Sequence, residues 1–212
     1  DDLLPGNNVL ITDENGIIEN IIEEKDAGDD IEMFKGMLSP GFINCHCHLE
    51  LSHLKNVVEE GTGLVEFLMK VITNRKAVKE EVDAAMFAAD KEMYDNGIVG
   101  VGDISNSTDS IKTKQNSKIY YQNFIEVLGF NEQSEDRFEN YITVYNSFCD
   151  AGFKKSTSIV PHAPYTVSTS MFKLINNFSA NKIISIHNQE TLAEDELYRT
   201  KAGEFLKWLE SH

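Results

Sequence analysis

The 212-residue chain predicts an α/β fold of repeated strand-then-helix units, and three observations carry that reading. Apolar runs of strand length alternate with segments of helical periodicity from residue 41 onward. Several runs, such as Ile183-Ile184-Ser185-Ile186, are apolar rather than alternating, which suits parallel strands covered on both faces. No Gly-x-Gly-x-x-Gly or P-loop follows a strand, so an open nucleotide-binding sheet loses ground to a (β/α)8 TIM-like barrel. About five β/α units can be counted, whereas closure needs eight. The expectation is an incomplete barrel, the N-terminal portion of a longer chain, because folded proteins avoid an unpaired apolar edge strand.

The elements follow in order. Residues 8–24 read as a β-hairpin, with β-branched residues in both arms and Asn15-Gly16 at the turn. A polar connection at 25–32 leads to Pro40-Gly41 and a strand at 41–47. Further strands are expected at 98–104, 118–128, 156–162 and 182–187, and helices at 63–74, 79–96, 134–151, 168–178 and 191–210. The stripe Phe67, Leu68 and Val71 is a packing face.

The chemistry-bearing residues fall at strand ends. In Gly41-Phe42-Ile43-Asn44-Cys45-His46-Cys47-His48, alternation sends His46 and His48 to one face and the two cysteines to the other. Two neutral imidazoles converging from one strand end suit zinc or another divalent first-row metal. A cysteine-histidine zinc knot is disfavoured by that parity and by the lack of C-x-x-C spacing; Cys149 lies far along the chain. His162 ends the strand Ile159-Val160-Pro161-His162, and His187 ends the last one, before Asn188-Gln189-Glu190. Four of the six histidines thus occupy carboxyl ends of strands, the face where barrel enzymes do chemistry. H-E-x-x-H is absent, as is H-x-E with a downstream P-C-x-x-C, which excludes the common zinc-protease helix and the nucleobase-editing deaminase fold.

Three ordered motifs carry a resemblance: Pro40-Gly-Phe-Ile-Asn-x-His46-x-His48-Leu-Glu50, Pro161-His162-Ala-Pro-Tyr-Thr, and Ile186-His187-Asn-Gln-Glu190-Thr-x-x-Glu194. Together they resemble the amidohydrolase superfamily, in its cytosine deaminase, aminohydrolase and chlorohydrolase branch. The run from Asn44 to Ser52 is similar to aminofutalosine deaminase relatives. The resemblance implies that residues 1–36 are part of a small β-sandwich domain and 37–212 the N-terminal portion of the barrel. It implies His46, His48 and His187 as ligands of one divalent metal ion, zinc first, with iron or manganese as alternatives. It implies Glu190 as the proton-shuttling carboxylate and His162 as the imidazole at the substrate. A further histidine and an aspartate, expected after the sixth and eighth strands, lie beyond this chain. The activity implied is hydrolytic deamination of an aminated heterocycle. Amide or C–Cl hydrolysis on the same centre is the alternative, and a non-catalytic metal-binding subunit a third.

Other polar residues have plainer readings. Glu50 and His53 follow the His-x-His; Glu50 is a candidate for the substrate mouth, His53 a surface loop residue. Thr191-Leu-Ala-Glu194 matches a capping box, Asp103 reads as a structural hydrogen-bonding group, and Tyr165 as packing. Glu126, on an apolar strand, is costly unless paired, and so is a candidate to support the site. The net charge of −16 and pI near 4.7 argue against a nucleic-acid or anionic-membrane surface. The resemblance implies a small-molecule substrate as the partner, with homo-oligomerisation open. Three sparse cysteines fit a reducing, cytoplasmic compartment.

Overall fold

The computed structural model describes residues 4–130, 137–178, 180 and 183–211. The chain divides into two compact units, Asp1–Pro40 and Gly41–His212.

In the first unit, β1 (Asn8–Thr12) pairs antiparallel with β2 (Ile18–Glu23). The turn is built on Asp13, whose carboxylate accepts the backbone N–H groups of Asn15 (2.9 Å) and Ile17 (2.8 Å). Gly16 closes it at φ +79°, a left-handed conformation that glycine adopts without steric cost.

In the second unit, β3 (Phe42–Cys47), β4 (Ile98–Ser105), β5 (Tyr120–Val127) and β6 (Thr157–Pro161) form one parallel sheet in chain order. The connections hold α1 (Leu64–Asn74) and α2 (Lys79–Asp95) after β3, α3 (Ile111–Gln115) after β4, and α4 (Phe138–Phe148) after β5. After β6 come α5 (Thr169–Asn177), α6 (Leu192–Thr200) and α7 (Glu204–Ser211). This is the β-then-α order of a barrel wall.

Alternation along the strands sorts the core into two faces. On the helix side, Val101 and Tyr121 pack with Leu49, Met86 and Ile119, while Ile125, Val127 and Ile159 pack with Phe138, Tyr145, Phe148, Met171 and Ile175. On the opposite side Ile104, Phe124 and Val160 form a smaller apolar layer.

β3 does not run straight. Asn44 pairs with Val101 but Cys47 with Asp103, so three steps on β3 match two on β4, a β-bulge at Cys45-His46. Gly102 lies beneath it: a Cβ there would sit 2.6 Å from the Cys45 carbonyl oxygen. The bulge redirects the strand at the first of its histidines.

Three expectations need correction. The segment expected to be a strand at 182–187 forms none over its described residues, 183–187; one ladder-like bond joins it to the end of β6, His187 N–H to the His162 carbonyl at 2.8 Å. Residue 182 lies outside the described residues. Ile183, Ile184 and Ile186 remain exposed, so the burial that would fix a strand is missing. The helix expected at 191–210 breaks at Lys201 (φ +51°) and Gly203 (φ +95°) into α6 and α7. The helix expected at 134–151 is described only from Arg137; it passes through a wider turn at Cys149–Phe153.

Among the described residues no helix is long and apolar enough to cross a membrane, and all three cysteines are free.

Candidate metal centre

The last residues of β3 place His46 and His48 side by side, with ring centroids 5.0 Å apart. Cys47, between them, turns to the helix side and packs against the cluster of Leu49, Met86 and Val101, where burial and the neighbouring Asp103 carboxylate push its thiol up to about 12. His187 arrives from the far end of the chain and lies 4.6 Å from the His46 ring and 5.3 Å from His48. One nitrogen from each of these three residues lies within 4.8 Å of the others. A second group shares His187 and adds Glu126 from β5 and His162 from the end of β6, within the same limit.

Both nitrogens of His187 face carboxylates. Nδ1 is 2.7 Å from Glu190 Oε1, and Nε2 is 3.3 Å from Glu126 Oε1. The first contact depends on Gln189, whose φ of +57° folds the chain back so that residues 187 and 190 meet. The turn is held by Glu194, fully buried, whose Oε2 accepts the Glu190 backbone N–H at 2.8 Å. Thr191 caps α6 by accepting the Glu194 N–H at 3.4 Å. The capping box read from Thr191 and Glu194 is therefore also what shapes the Glu190 turn.

His162 is pinned by Thr166, whose hydroxyl lies 2.6 Å from Nδ1, and its ring lies 5.1 Å from that of His187. Tyr165 packs edge-on to His162 and to Phe205.

The electrostatics are uneven. Burial holds His48 down to about 4, helped by the positive charge on His187, and it also lowers His46 and His162. Burial acts on His187 in the same direction, but Glu126 and Glu190 outweigh it and lift the ring to about 9. Glu126 is the mirror case: burial raises it, yet His187, His162 and Asn106 bring it down to about 2. Hydrogen bonding to His187 also keeps Glu190 below the usual carboxylate range. Three imidazoles thus offer lone pairs at neutral pH, and one imidazolium stands between two carboxylates.

That arrangement fits a divalent cation. The donor set is imidazole and carboxylate, the set that suits zinc and its first-row neighbours. His187 Nε2 and Glu126 Oε1 are both buried and, among the described residues, have no hydrogen-bond partner.

Glu50, the candidate for the substrate mouth, is bonded within the protein. Its buried carboxylate accepts from Arg75 Nη2 (2.9 Å), Asn106 N–H (3.0 Å), Ser107 N–H (3.2 Å) and Ser107 Oγ (2.9 Å), which ties the β3 and β4 ends together. Asp103 is structural: its Oδ1 accepts the Leu49 N–H at 2.7 Å, directly after His48, and its Oδ2 pairs with Lys114 at 2.6 Å. His53 is part-buried beneath α1 and α2, lining a cavity of about 350 Å³ with Asn74 and Glu81. Sequence reasoning missed Arg75, Asn106 and Lys114. The lone carboxylate Glu126 within an apolar strand was the signal that did point here.

With this geometry in hand, the comparisons decide the family. The Amidohydrolase family model matches residues 37–211. The chain belongs to that family. It is 27% identical over 172 residues to a protein named adenosine deaminase from Helicobacter pylori, covering 80% of this chain and 42% of that one. It is 26% identical over 204 residues to an aminodeoxyfutalosine deaminase from Nitratiruptor, covering 90% and 48%. A crystal structure of Helicobacter pylori aminofutalosine deaminase in complex with methylthio-coformycin superimposes with a TM-score of 0.70 at 27% identity, over 78% of this chain and 41% of that one. The chain therefore spans less than half the length of the relatives it matches. The parallel sheet and its helices are part of an amidohydrolase barrel.

Proposed function

We propose that this chain is part of a metal-dependent hydrolase that deaminates an aminated heterocycle of adenosine-like type. The observation that carries the reading is the meeting of His46, His48 and His187 within 4.8 Å, with Glu190 against the last of them. The names of the relatives, deaminases of adenosine and aminodeoxyfutalosine, support the substrate class.

His46, His48 and His187 would hold the cation, with zinc favoured by the imidazole set. A bound divalent cation supplies Lewis acidity that brings the pKa of a water from 15.7 to about 7. Glu190, half-exposed and held below the usual carboxylate range, would accept a proton from the attacking water and pass it to a ring nitrogen of the substrate. One water adds at the ring carbon bearing the amine, the exocyclic C–N bond breaks, and ammonia leaves. His162, neutral and pinned by Thr166, presents its ring to the attacked centre and hydrogen-bonds there as charge develops. The hairpin of residues 8–23 is read as part of a small β-sandwich domain, and the free cysteines support a cytoplasmic setting.

The test uses the full-length, zinc-loaded protein and follows ammonia release from adenosine-like nucleosides. Glu190→Gln is expected to keep its zinc and lose about 10²–10⁴-fold in turnover, the usual contribution of a positioned acid-base group. Wild-type turnover in that variant would remove Glu190 from the role. With chloro- and alkylamino-substituted analogues added to the panel, turnover of those with release of chloride or an alkyl amine, and no ammonia from the amino nucleosides, would overturn the reaction class.

A further inference from the structure

We propose that Glu126 is a positioning residue of the centre: held by Asn106, it fixes the ring of His187 and so sets how tightly the cation is bound. This rests on the metal-binding role of His187 proposed above. Glu126 is 3% exposed and shares its face of β5 with Phe124, beside an apolar layer where a charged carboxylate is costly unless something answers it. One oxygen is answered by the protein: Asn106 Nδ2 donates to Oε2 at 2.9 Å and to the Glu126 carbonyl at 3.3 Å.

Asn106 cannot drift, because its Oδ1 accepts from Arg75 at 3.0 Å and its N–H donates to Glu50 at 3.0 Å. Arg75 and Glu50 are themselves paired at 2.9 Å. A closed set of hydrogen bonds from the ends of α1, β3 and β4 thus holds Glu126 in one orientation.

The other oxygen, Oε1, is left facing His187 Nε2 at 3.3 Å without hydrogen-bond geometry, and both atoms lack a hydrogen-bond partner among the described residues. A buried ion pair that served the fold alone would need well-aligned bonds to offset its desolvation. A carboxylate beside a ligating histidine has another use: it fixes the ring and raises its basicity. Glu190, on the opposite ring nitrogen, has a side chain 42% exposed, against 4% for Glu126. The two carboxylates divide the work: Glu190 is free to move with a proton, and Glu126 stays.

The experiment titrates the full-length protein with Co²⁺ and reads both affinity and the visible cobalt spectrum. In Glu126→Gln the side-chain carbonyl stays with Asn106 Nδ2, so the amide NH₂ turns to His187 where an acceptor stood. Cobalt affinity should fall about 10–100-fold, with a shifted spectrum. Asn106→Ala keeps the charge but removes the brace, and should shift affinity in the same direction by less. If both variants bind cobalt with wild-type affinity and spectrum, whatever their melting temperatures, Glu126 serves the fold alone and the inference is overturned. Wild-type protein that takes up no cobalt would overturn the metal reading as well, which distinguishes the two failures.

Discussion

Two buried charged regions lie within a few residues of each other, and they are built on opposite rules. On the helix side, Lys114 and Asp103 are fully enclosed, both 0% exposed, and every polar atom has an answer. Lys114 reaches Asp103 at 2.6 Å, Asn123 at 2.8 Å and Ser105 at 3.1 Å, and it lies over the rings of Phe148 and Tyr121. Around the metal-ligand candidates, His187, Glu126, Glu190 and His162 are as tightly gathered, yet His187 Nε2 and Glu126 Oε1 meet only as a 3.3 Å ion pair without hydrogen-bond geometry. The lesson is about satisfaction rather than burial. A charge network whose members are all bonded holds architecture in place, whereas one that leaves polar atoms aimed at a common space is poised for a ligand.

The comparison breaks most visibly if the satisfied network is opened. Lys114→Met leaves Asp103 buried without its cation and should cost about 3–5 kcal/mol, read by denaturant unfolding. A loss under about 1 kcal/mol would show that the pair is not holding the sheet. The unsatisfied network should behave in the opposite way: Glu126→Gln removes a charge from crowded surroundings and should change stability less than Lys114→Met does.

A smaller effect is expected where the two regions touch. Gly102 lies under the β3 bulge, and a methyl group there meets the Cys45 carbonyl oxygen at 2.6 Å. Backbone cannot give way as a flexible side chain does, so Gly102→Ala should displace the strand carrying His46 and His48. About 1–3 kcal/mol of stability should be lost, and cation affinity should fall more than in an equally destabilised helix-surface variant. Unchanged affinity would detach the bulge from the site.

The smallest effect concerns the hairpin. Hydrogen bonds from the Ile17 and Asn15 N–H groups, against a slight opposing effect of burial, place the Asp13 carboxyl below its ordinary value of 3.8. A carboxyl lowered in the folded state favours folding above its unfolded pKa, and that help is lost as pH falls through the folded one. The protection factor of the Ile17 amide should therefore fall as pH drops below 3.8, and be small at every pH in Asp13→Ala. Equal protection in both proteins would remove Asp13 from the turn.

Much of this was legible in the residues, for identifiable reasons. The four sheet strands are short apolar runs bounded by polar or glycine punctuation, and that pattern depends only on neighbours in sequence. His46 and His48 announce their common placement because they are two apart. His162 is legible by its position at a strand end, whereas His187 ends an expected strand that its described residues do not form. What sequence could not display is pairing over distance. Asn106 meets Arg75 and Glu126 across 31 and 20 positions, and no local spacing encodes either contact. The short α3 that carries Lys114 has five residues, too few for a helical period to stand out. The β3 bulge depends on a glycine in the neighbouring strand. The segment before His187 is apolar enough to read as a strand, but its isoleucines are exposed, and pattern without burial did not make one.

The most direct measurement is zinc stoichiometry by elemental analysis of the full-length protein and of its His46→Ala/His48→Ala/His187→Ala variant, with folding checked by circular dichroism. One zinc per wild-type chain and none in the folded triple variant is the result these three imidazoles predict. Zinc retained at full stoichiometry in the variant, or absent from the wild-type protein supplied with it, would contradict the metal centre on which every functional statement here depends.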